Sequence, residues 1–395
     1  MSQKNPDALT ILGDLIAYDT TSRNSNLDLI DYVGEYLKSH NLKSELVVSE
    51  DGQKANLFAT IGPKAGSENG PDEMEASGIA LSGHTDVVPV DGQDWHSDPF
   101  SMTRKDERLY GRGTSDMKGF IACALAAVPE FKARTLKKPI HLVFSYDEEI
   151  GCLGIRPLIK KLGEELPKPE MVIVGEPTSM SVVDAHKGAT RFETIVTGHE
   201  AHSSLSHIGV NAIDYAALII RELRTIEDDF AHAHNSDRFT PPFSTIHVGT
   251  IEGGTALNIV PKTCRFVWEV RALPGLDPKD VLNRVQRFAN EKCLPEMRCI
   301  APECDILIRE ENNIPSFNAS GSSAVNLAMR LAGQNNTLAV PYGTEAGLFE
   351  LGGSPTVICG PGDIAQAHKP DEYIEISQIN ACMKFMSGLA NWAST

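Results

Sequence analysis

The sequence predicts an α/β fold with a smaller α+β unit inserted into it, and three observations carry that expectation. Short apolar runs alternate with stretches of helical period over most of the chain. Between about Thr190 and Ile308 the order changes, and 395 residues exceed the roughly 100–200 of one ordinary domain. Two compact units, each with its own core, are therefore expected.

Asp7 to Tyr18 and Leu27 to His40 place apolar residues at helical spacing. Gly78–Ser82, Ile140–Ser145, Met171–Gly175, Thr337–Val340 and Pro355–Cys359 are short continuous apolar runs, the pattern of strands buried on both faces. Lys118–Ala133, Ile155–Leu162 and Ser322–Leu331 separate several of these runs and read as covering helices. Between Lys64 and Ser77 a polar stretch rich in Gly, Pro and Glu has no period and reads as a surface loop. Arg191–Thr197 then opens a different order: strand, helix (Ala212–Thr225), strand (Thr245–Ile251), strand (Thr263–Arg271), helix (Pro278–Lys292), strand (Asp305–Ile308). That is the β-α-β-β-α-β order of a split, ferredoxin-like unit. Since runs of the large sheet flank it, the expected division is a discontinuous domain, 1-187 and 313-395, around an inserted one, 188-312.

Composition narrows the function. The formal net charge is -17, from 53 acidic against 36 basic residues, and such a surface repels phosphate backbones and anionic lipid. Nucleic acid and membranes are not expected partners. The eight cysteines form no C-x-x-C pair and the chain opens MSQKNPDALT without a charged-then-apolar leader, so a reduced, cytoplasmic setting is expected. No apolar run approaches the about 18 residues of a membrane span.

The residues that carry chemistry sit at strand ends. His84 and Asp86 stand in S-G-H-T-D directly after the first run, at the carboxyl end where open α/β sheets bind ligands. Asp116 lies in G-R-G-T-S-D-M-K-G, where glycines free the backbone for an unusual turn before a helix. Glu148 and Glu149 follow Ile140–Ser145, Glu176 follows Met171–Gly175, and His368 comes from beyond the inserted unit in Q-A-H-K-P-D-E-Y. Taken singly, a strand-end acid is usually a turn or helix cap, and a lone His a satisfied surface or core residue. Two His and several carboxylates converging on one edge repel one another unless a cation sits among them. Imidazole with carboxylate suits zinc, and two zincs about 3.5–4 Å apart need a shared carboxylate. Glu148 and Glu149 are neighbours whose side chains point different ways, so one can bind metal while the other serves as base.

Through these segments, and through G-H-E-A-H-S-S, G-G-T-A-L-N-I-V-P and V-R-A-L-P-G of the inserted unit, nearly the whole chain resembles the two-zinc aminoacylase and carboxypeptidase family of metallohydrolases. The resemblance implies a zinc-peptidase-like catalytic domain with an inserted dimerisation, or lid, domain. It implies one zinc on His84 and Glu176, a second on Glu149 and His368, Asp116 bridging both, and a cis peptide between Asp116 and Met117. Cobalt is expected to substitute. Glu148 is then the general base that takes a proton from the attacking water and returns it to the leaving amine. Asp86 would accept a hydrogen bond from the far nitrogen of His84. His202 matches a residue that crosses a homodimer to stabilise the oxyanion, and Asn258 and Arg271 match residues that hold a substrate carboxylate.

V-P-Y-G-T-E-A-G-L-F, with Gly343, Thr344 and Glu345, resembles members acting on N-acetylornithine more than desuccinylases, which resemble G-G-T-S-D there. Glu345 is expected to pair with the side-chain ammonium of such a substrate. A broader N-acyl-amino-acid hydrolase, a desuccinylase or a dipeptidase of the same mechanism is an alternative. A catalytically silent small-molecule-binding protein should have lost ligands or base, and here all six are in place.

Overall fold

A computed structural model describes residues 6–62 and 77–395. The polar stretch between Lys64 and Ser77 falls, Ser77 apart, outside the described residues. The chain forms two compact units: Met1–Asp184 with Ala319–Leu338 and Thr344–Thr395, and Ala185–Asn318 with Ala339–Gly343.

In chain order the first passage holds α1 (Ala8–Ile16), α2 (Leu27–Ser39), β1 (Ser44–Val48), β2 (Ala55–Ile61), β3 (Ile79–His84), β4 (Thr103–Lys105), β5 (Arg108–Tyr110), α3 (Lys118–Ala133), β6 (Ile140–Ser145), α4 (Ile155–Lys161), β7 (Met171–Pro177) and β8 (Val183–His186). Then come β9 (Gly188–Thr197), α5 (Ala212–Ala233), β10 (Thr245–Gly253), β11 (Thr263–Ala272), α6 (Pro278–Phe288), α7 (Leu294–Ile300), β12 (Asp305–Ile314) and β13 (Phe317–Asn318). The chain ends with α8 (Ser323–Ala332), β14 (Leu338–Val340), α9 (Ala346–Leu351), β15 (Thr356–Gly360), β16 (Tyr373–Glu375) and α10 (Ile376–Ala393).

The large sheet runs β1-β2-β6-β3-β7-β15-β8. Its centre is parallel: β6, β3, β7 and β15 lie side by side in one direction. Every residue of β3, β6 and β7 is buried, which is why these strands appear in the sequence as unbroken apolar runs. β1 and β2 continue the sheet antiparallel. The edge strand β1 exposes most of its residues and so carries no such signal. Asp7 caps α1 by accepting from the Thr10 amide at 2.9 Å. α3 is buried along almost its whole length and packs against α1 and α10, the last a helix that sequence period did not single out. Because the central strands are parallel, the residues that follow β3, β6 and β7 emerge at one edge of the sheet.

The second unit has a four-stranded antiparallel sheet in the order β10-β11-β9-β12. This is the β-α-β-β-α-β arrangement read from the sequence. Its core gathers Phe192, Phe266, Trp268, Ile219 and Leu223. The Phe192 and Trp268 rings stack at 4.4 Å, and Trp268 Nε1 donates to Thr194 Oγ1 at 3.0 Å. The helix expected over Pro278–Lys292 ends at Phe288, widens into a π turn over Ala289–Cys293 and resumes as α7. Pro295 has no amide hydrogen for a continuing helix, which accounts for the break.

Gly175 shows how closely the layers meet, since a Cβ there would lie 2.0 Å from Cγ of Phe120 on α3. Gly175→Ala is expected to lower stability by about 1–3 kcal/mol through forced displacement of that ring. Urea unfolding checks this, and an unchanged midpoint would mean that α3 draws back from β7 at no cost.

Candidate metal centre

His84 ends β3 with its side chain buried. Its Nδ1 lies 2.9 Å from the main-chain carbonyl of Asp86 and 3.6 Å from Asp86 Oδ1. A carbonyl only accepts, so in the neutral ring Nδ1 carries the hydrogen and Nε2 presents its lone pair. The Asp86 carboxylate, to which the sequence assigned this contact, also stands beside Nδ1, and the main-chain carbonyl is the nearer acceptor. The carboxylate is engaged elsewhere: Oδ2 accepts from Ser22 Oγ at 2.7 Å and from the Glu149 amide at 3.2 Å, and Oδ1 accepts from the Glu148 amide at 3.1 Å. Asp86 thus pins the loop after β6 to the end of β3.

Asp116 precedes α3 and its peptide to Met117 is cis. Its Oδ1 is 3.0 Å from His84 Nε2 and its Oδ2 is 3.4 Å from His368 Nε2, so one carboxylate stands between the two imidazoles. His368 Nε2 is 3.0 Å from Glu149 Oε2, and His84 Nε2 is 3.9 Å from Glu176 Oε1. Two groups, His84 with Asp116 and Glu149, and His84 with Glu148 and Glu176, each bring three potential ligand atoms within 4.8 Å of one another. These nitrogen and carboxylate oxygen donors suit zinc, and their convergence fits a centre of two cations around Asp116.

The charges make the same point. Burial, then the Asp116 charge, pushes the Glu149 carboxyl up to about 7. Burial, reinforced by the charges of Glu149, Glu345 and Asp116, pushes Glu148 up to about 8. Burial holds Glu176 well above its ordinary range. Burial acts to lower His84, but hydrogen bonds to Asp116 and Asp86 overcome it and hold the imidazole well above its usual value. Hydrogen bonds to Asp116 and Glu149 raise His368 to about 10. For Asp116 burial works upward, and the hydrogen bonds from His368 and His84 prevail and lower it. Without metal, then, carboxyls hold protons and imidazoles serve as counter-ions, the strain that a bound cation relieves.

The remaining sequence-derived residues differ in placement. Glu345, expected to face a ligand ammonium, is buried, with Oε1 accepting from Ser145 Oγ at 2.6 Å and Oε2 from Ser82 Oγ at 3.4 Å. It stands at the start of α9, and its carboxylate is taken up by serines of β3 and β6. Thr344 is buried beside it, its Oγ1 accepting from the Ala346 amide at 3.1 Å. Gly343, His202, Asn258 and Arg271 belong to the second unit. Arg271 there pairs through Nε and Nη2 with both oxygens of Glu269, at 3.0 and 3.1 Å, so its fork already holds a carboxylate. His202 is exposed, with Nδ1 2.8 Å from Ser204 Oγ, and the carbonyl of exposed Asn258 accepts from the Ser203 amide.

Sequence reasoning did not single out Ser22 or Cys152. Cys152 is buried, and its Sγ donates to Glu148 Oε1 at 3.2 Å. Its place four residues after Glu148 was the available signal; Ser22, remote in sequence from Asp86, offered none.

A buried cluster of this kind, at the carboxyl ends of parallel strands and with a glutamate beside the ligands, makes the chain a metallohydrolase of α/β fold. It belongs to the peptidase family M20/M25/M40, whose model matches residues 80–392. The acetylornithine deacetylase of Myxococcus xanthus is 35% identical over 385 residues, 97% of this chain and 96% of that protein. Among solved structures, the M20 family metallo-carboxypeptidase Sso-CP2 from Sulfolobus solfataricus superposes with a TM-score of 0.74 at 21% identity, over 99% of this chain and 100% of that one. The Bacillus subtilis YXEP protein, a dinuclear metal binding peptidase from the M20 family, gives a TM-score of 0.67 at 16% identity, over 97% and 96% of the two chains.

The raised carboxyls give a signed prediction for metal-stripped protein. Glu149 and Glu345 near 7 and Glu148 near 8 compare with an ordinary 4.5, so from about pH 4.5 to 8 the folded state binds more protons than the unfolded chain. Stability therefore falls as pH rises through that window, and above about 6.5 the two raised histidines act in the same direction. The thermal midpoint is expected to drop between about pH 5 and 8, and zinc to restore it most at the upper end. A flat or rising profile would mean that the cluster ionises without penalty.

Proposed function

We propose that this protein is a two-zinc amide hydrolase that cleaves N2-acetyl-L-ornithine to L-ornithine and acetate. The observation that carries the chemistry is the place of Glu148, whose carboxyl converges with His84 and Glu176, stands directly before Glu149 in the chain and accepts from the Cys152 thiol at 3.2 Å. Full-length relatives named acetylornithine deacetylase support the substrate.

In this reading His84 and Glu176 would hold one zinc, Glu149 and His368 the other, and Asp116 would serve both, with cobalt able to take their place. When bound, the pair supplies an acidified water and a polarised amide carbonyl. Glu148 takes the proton of the attacking water at its carboxylate and delivers it to the leaving amine nitrogen. Asp86 keeps the Glu148 and Glu149 amides in place through its two oxygens. The second unit pairs two copies into a homodimer, and His202 of one copy stabilises the oxyanion in the other. Asn258 and Arg271 receive the substrate carboxylate, Arg271 by exchanging Glu269 for it. Gly343 and Thr344 take part in substrate binding. The setting is the cytoplasm.

Ornithine release by the zinc-loaded protein should be fast and selective against N-succinyl-diaminopimelate, N-acetylmethionine and dipeptides. Glu148→Ala should lose about 10²–10⁴-fold in turnover while still binding two zincs. Preference for another acyl-amino acid or a dipeptide would replace the substrate and keep the chemistry; undiminished turnover by Glu148→Ala would remove Glu148 as the base.

A further inference from the structure

Glu372 lies four residues beyond His368 and is 1% exposed, yet no ligand role falls to it. Its two oxygens serve the loop that presents Asp116. Oε1 accepts from the amides of Ser115 at 2.8 Å and Asp116 at 3.1 Å. Oε2 accepts from the Gly113 amide at 3.1 Å and from Arg112 Nη1 at 2.7 Å. Its own carbonyl accepts from the Gly111 amide at 2.9 Å. One residue thus satisfies five donors from Gly111 to Asp116, a turning stretch with no strand partner to accept from those amides.

The contacts continue to the other imidazole. Arg112, also 1% exposed, directs Nη2 to Gln93 Oε1 at 2.7 Å, and Gln93 Nε2 donates to the main-chain carbonyl of His368 at 3.0 Å. Trp95 holds Gln93 from the side, its Nε1 donating to the same oxygen at 3.0 Å, and its ring lies 5.1 Å from the Arg112 guanidinium carbon. His368 itself sits at φ 65, a left-handed conformation that a β-carbon makes unfavourable and that neighbouring contacts must hold. The path Glu372–Arg112–Gln93–His368 closes on the chain itself, because Glu372 and His368 belong to one short segment. The closed path ties the loop carrying Asp116 to the turn carrying His368.

We propose that Glu372 is the positioning residue that sets Asp116 against His368, with Arg112 and Gln93 relaying its hold to the His368 turn. This rests on the two-zinc reading above. Its consequence is selective. His84 and Glu176 are delivered by β3 and β7, independently of the path, whereas His368 has no strand behind it. Loss of the Arg112–Gln93 arm therefore weakens the metal position of His368 and Glu149 and leaves that of His84 and Glu176 in place, whereas loss of Glu372, which also holds the shared Asp116, weakens both. Partners that orient a metal ligand typically contribute about 10–100-fold in affinity.

The experiment is calorimetric zinc titration of the metal-stripped full chain, in the unsubstituted protein and in Glu372→Gln, Gln93→Ala and His368→Ala, with circular dichroism as a check on the fold. The unsubstituted protein should take two equivalents. Gln93→Ala should bind the first equivalent unchanged and the second about 10–100-fold more weakly, approaching the pattern of His368→Ala, and Glu372→Gln should weaken both equivalents, the second more. Gln93→Ala leaves no buried charge unpaired and so keeps the test open if Glu372→Gln does not fold. Two undiminished equivalents in folded Glu372→Gln or Gln93→Ala, or equal loss of both in Gln93→Ala, would overturn the positioning role. Fewer than two equivalents in the unsubstituted protein would instead overturn the two-zinc reading on which it rests.

Discussion

Everything at the metal centre depends on one electrostatic constraint: several carboxylates are gathered, largely buried, where their charges repel. Parallel β3, β6 and β7 bring His84, Glu148, Glu149 and Glu176 to one edge simply because their carboxyl ends point the same way. Burial removes the water that would have screened those groups. The fold accepts the repulsion and balances it with two imidazoles, one on each side of Asp116. A cluster so arranged is unfavourable as a structural device and favourable as a place for cations.

A second layer of acids does a different task. Asp86 and Glu372 spend their oxygens on main-chain amides of the segments that carry the reactive groups. Loops that turn between strands lack the ladder partners of a sheet, so their amides need acceptors from side chains. An ionised carboxylate can accept several such bonds at once, which a neutral side chain of similar size cannot. The buried acids of this protein therefore fall into two sets: those facing the centre and those holding the backbone behind it.

Much of this was legible beforehand, and the reason is periodicity. β3, β6 and β7 are buried on both faces, so their apolar runs stand out, and the chemical residues follow directly after them. The inserted unit was legible from its element order, including both central strands and the two main helices. What escaped has physical causes. β1 exposes most of its residues, the part of β12 beyond Ile308 runs through a charged and polar segment, and α9 has only six residues. The main-chain carbonyl of Asp86, nearer to His84 Nδ1 than the expected carboxylate, escaped because a sequence does not say which acceptor reaches an imidazole first. Glu345 read as an open charge, although the serines that receive it, Ser82 and Ser145, come from two other strands. Contacts between distant segments leave no trace in local pattern.

The pair Arg112 and Glu372 is separated by 260 positions along the chain. Synthesis runs from the amino end, and the strands bearing His84 and Glu176 emerge long before the segment bearing His368 and Glu372. The large sheet is itself completed only when β15, beyond the inserted unit, pairs with β7, so both halves of the centre depend on chain made last. An unfinished polypeptide therefore lacks His368, Glu372 and the strand that completes the sheet, and with them the donor set of the centre.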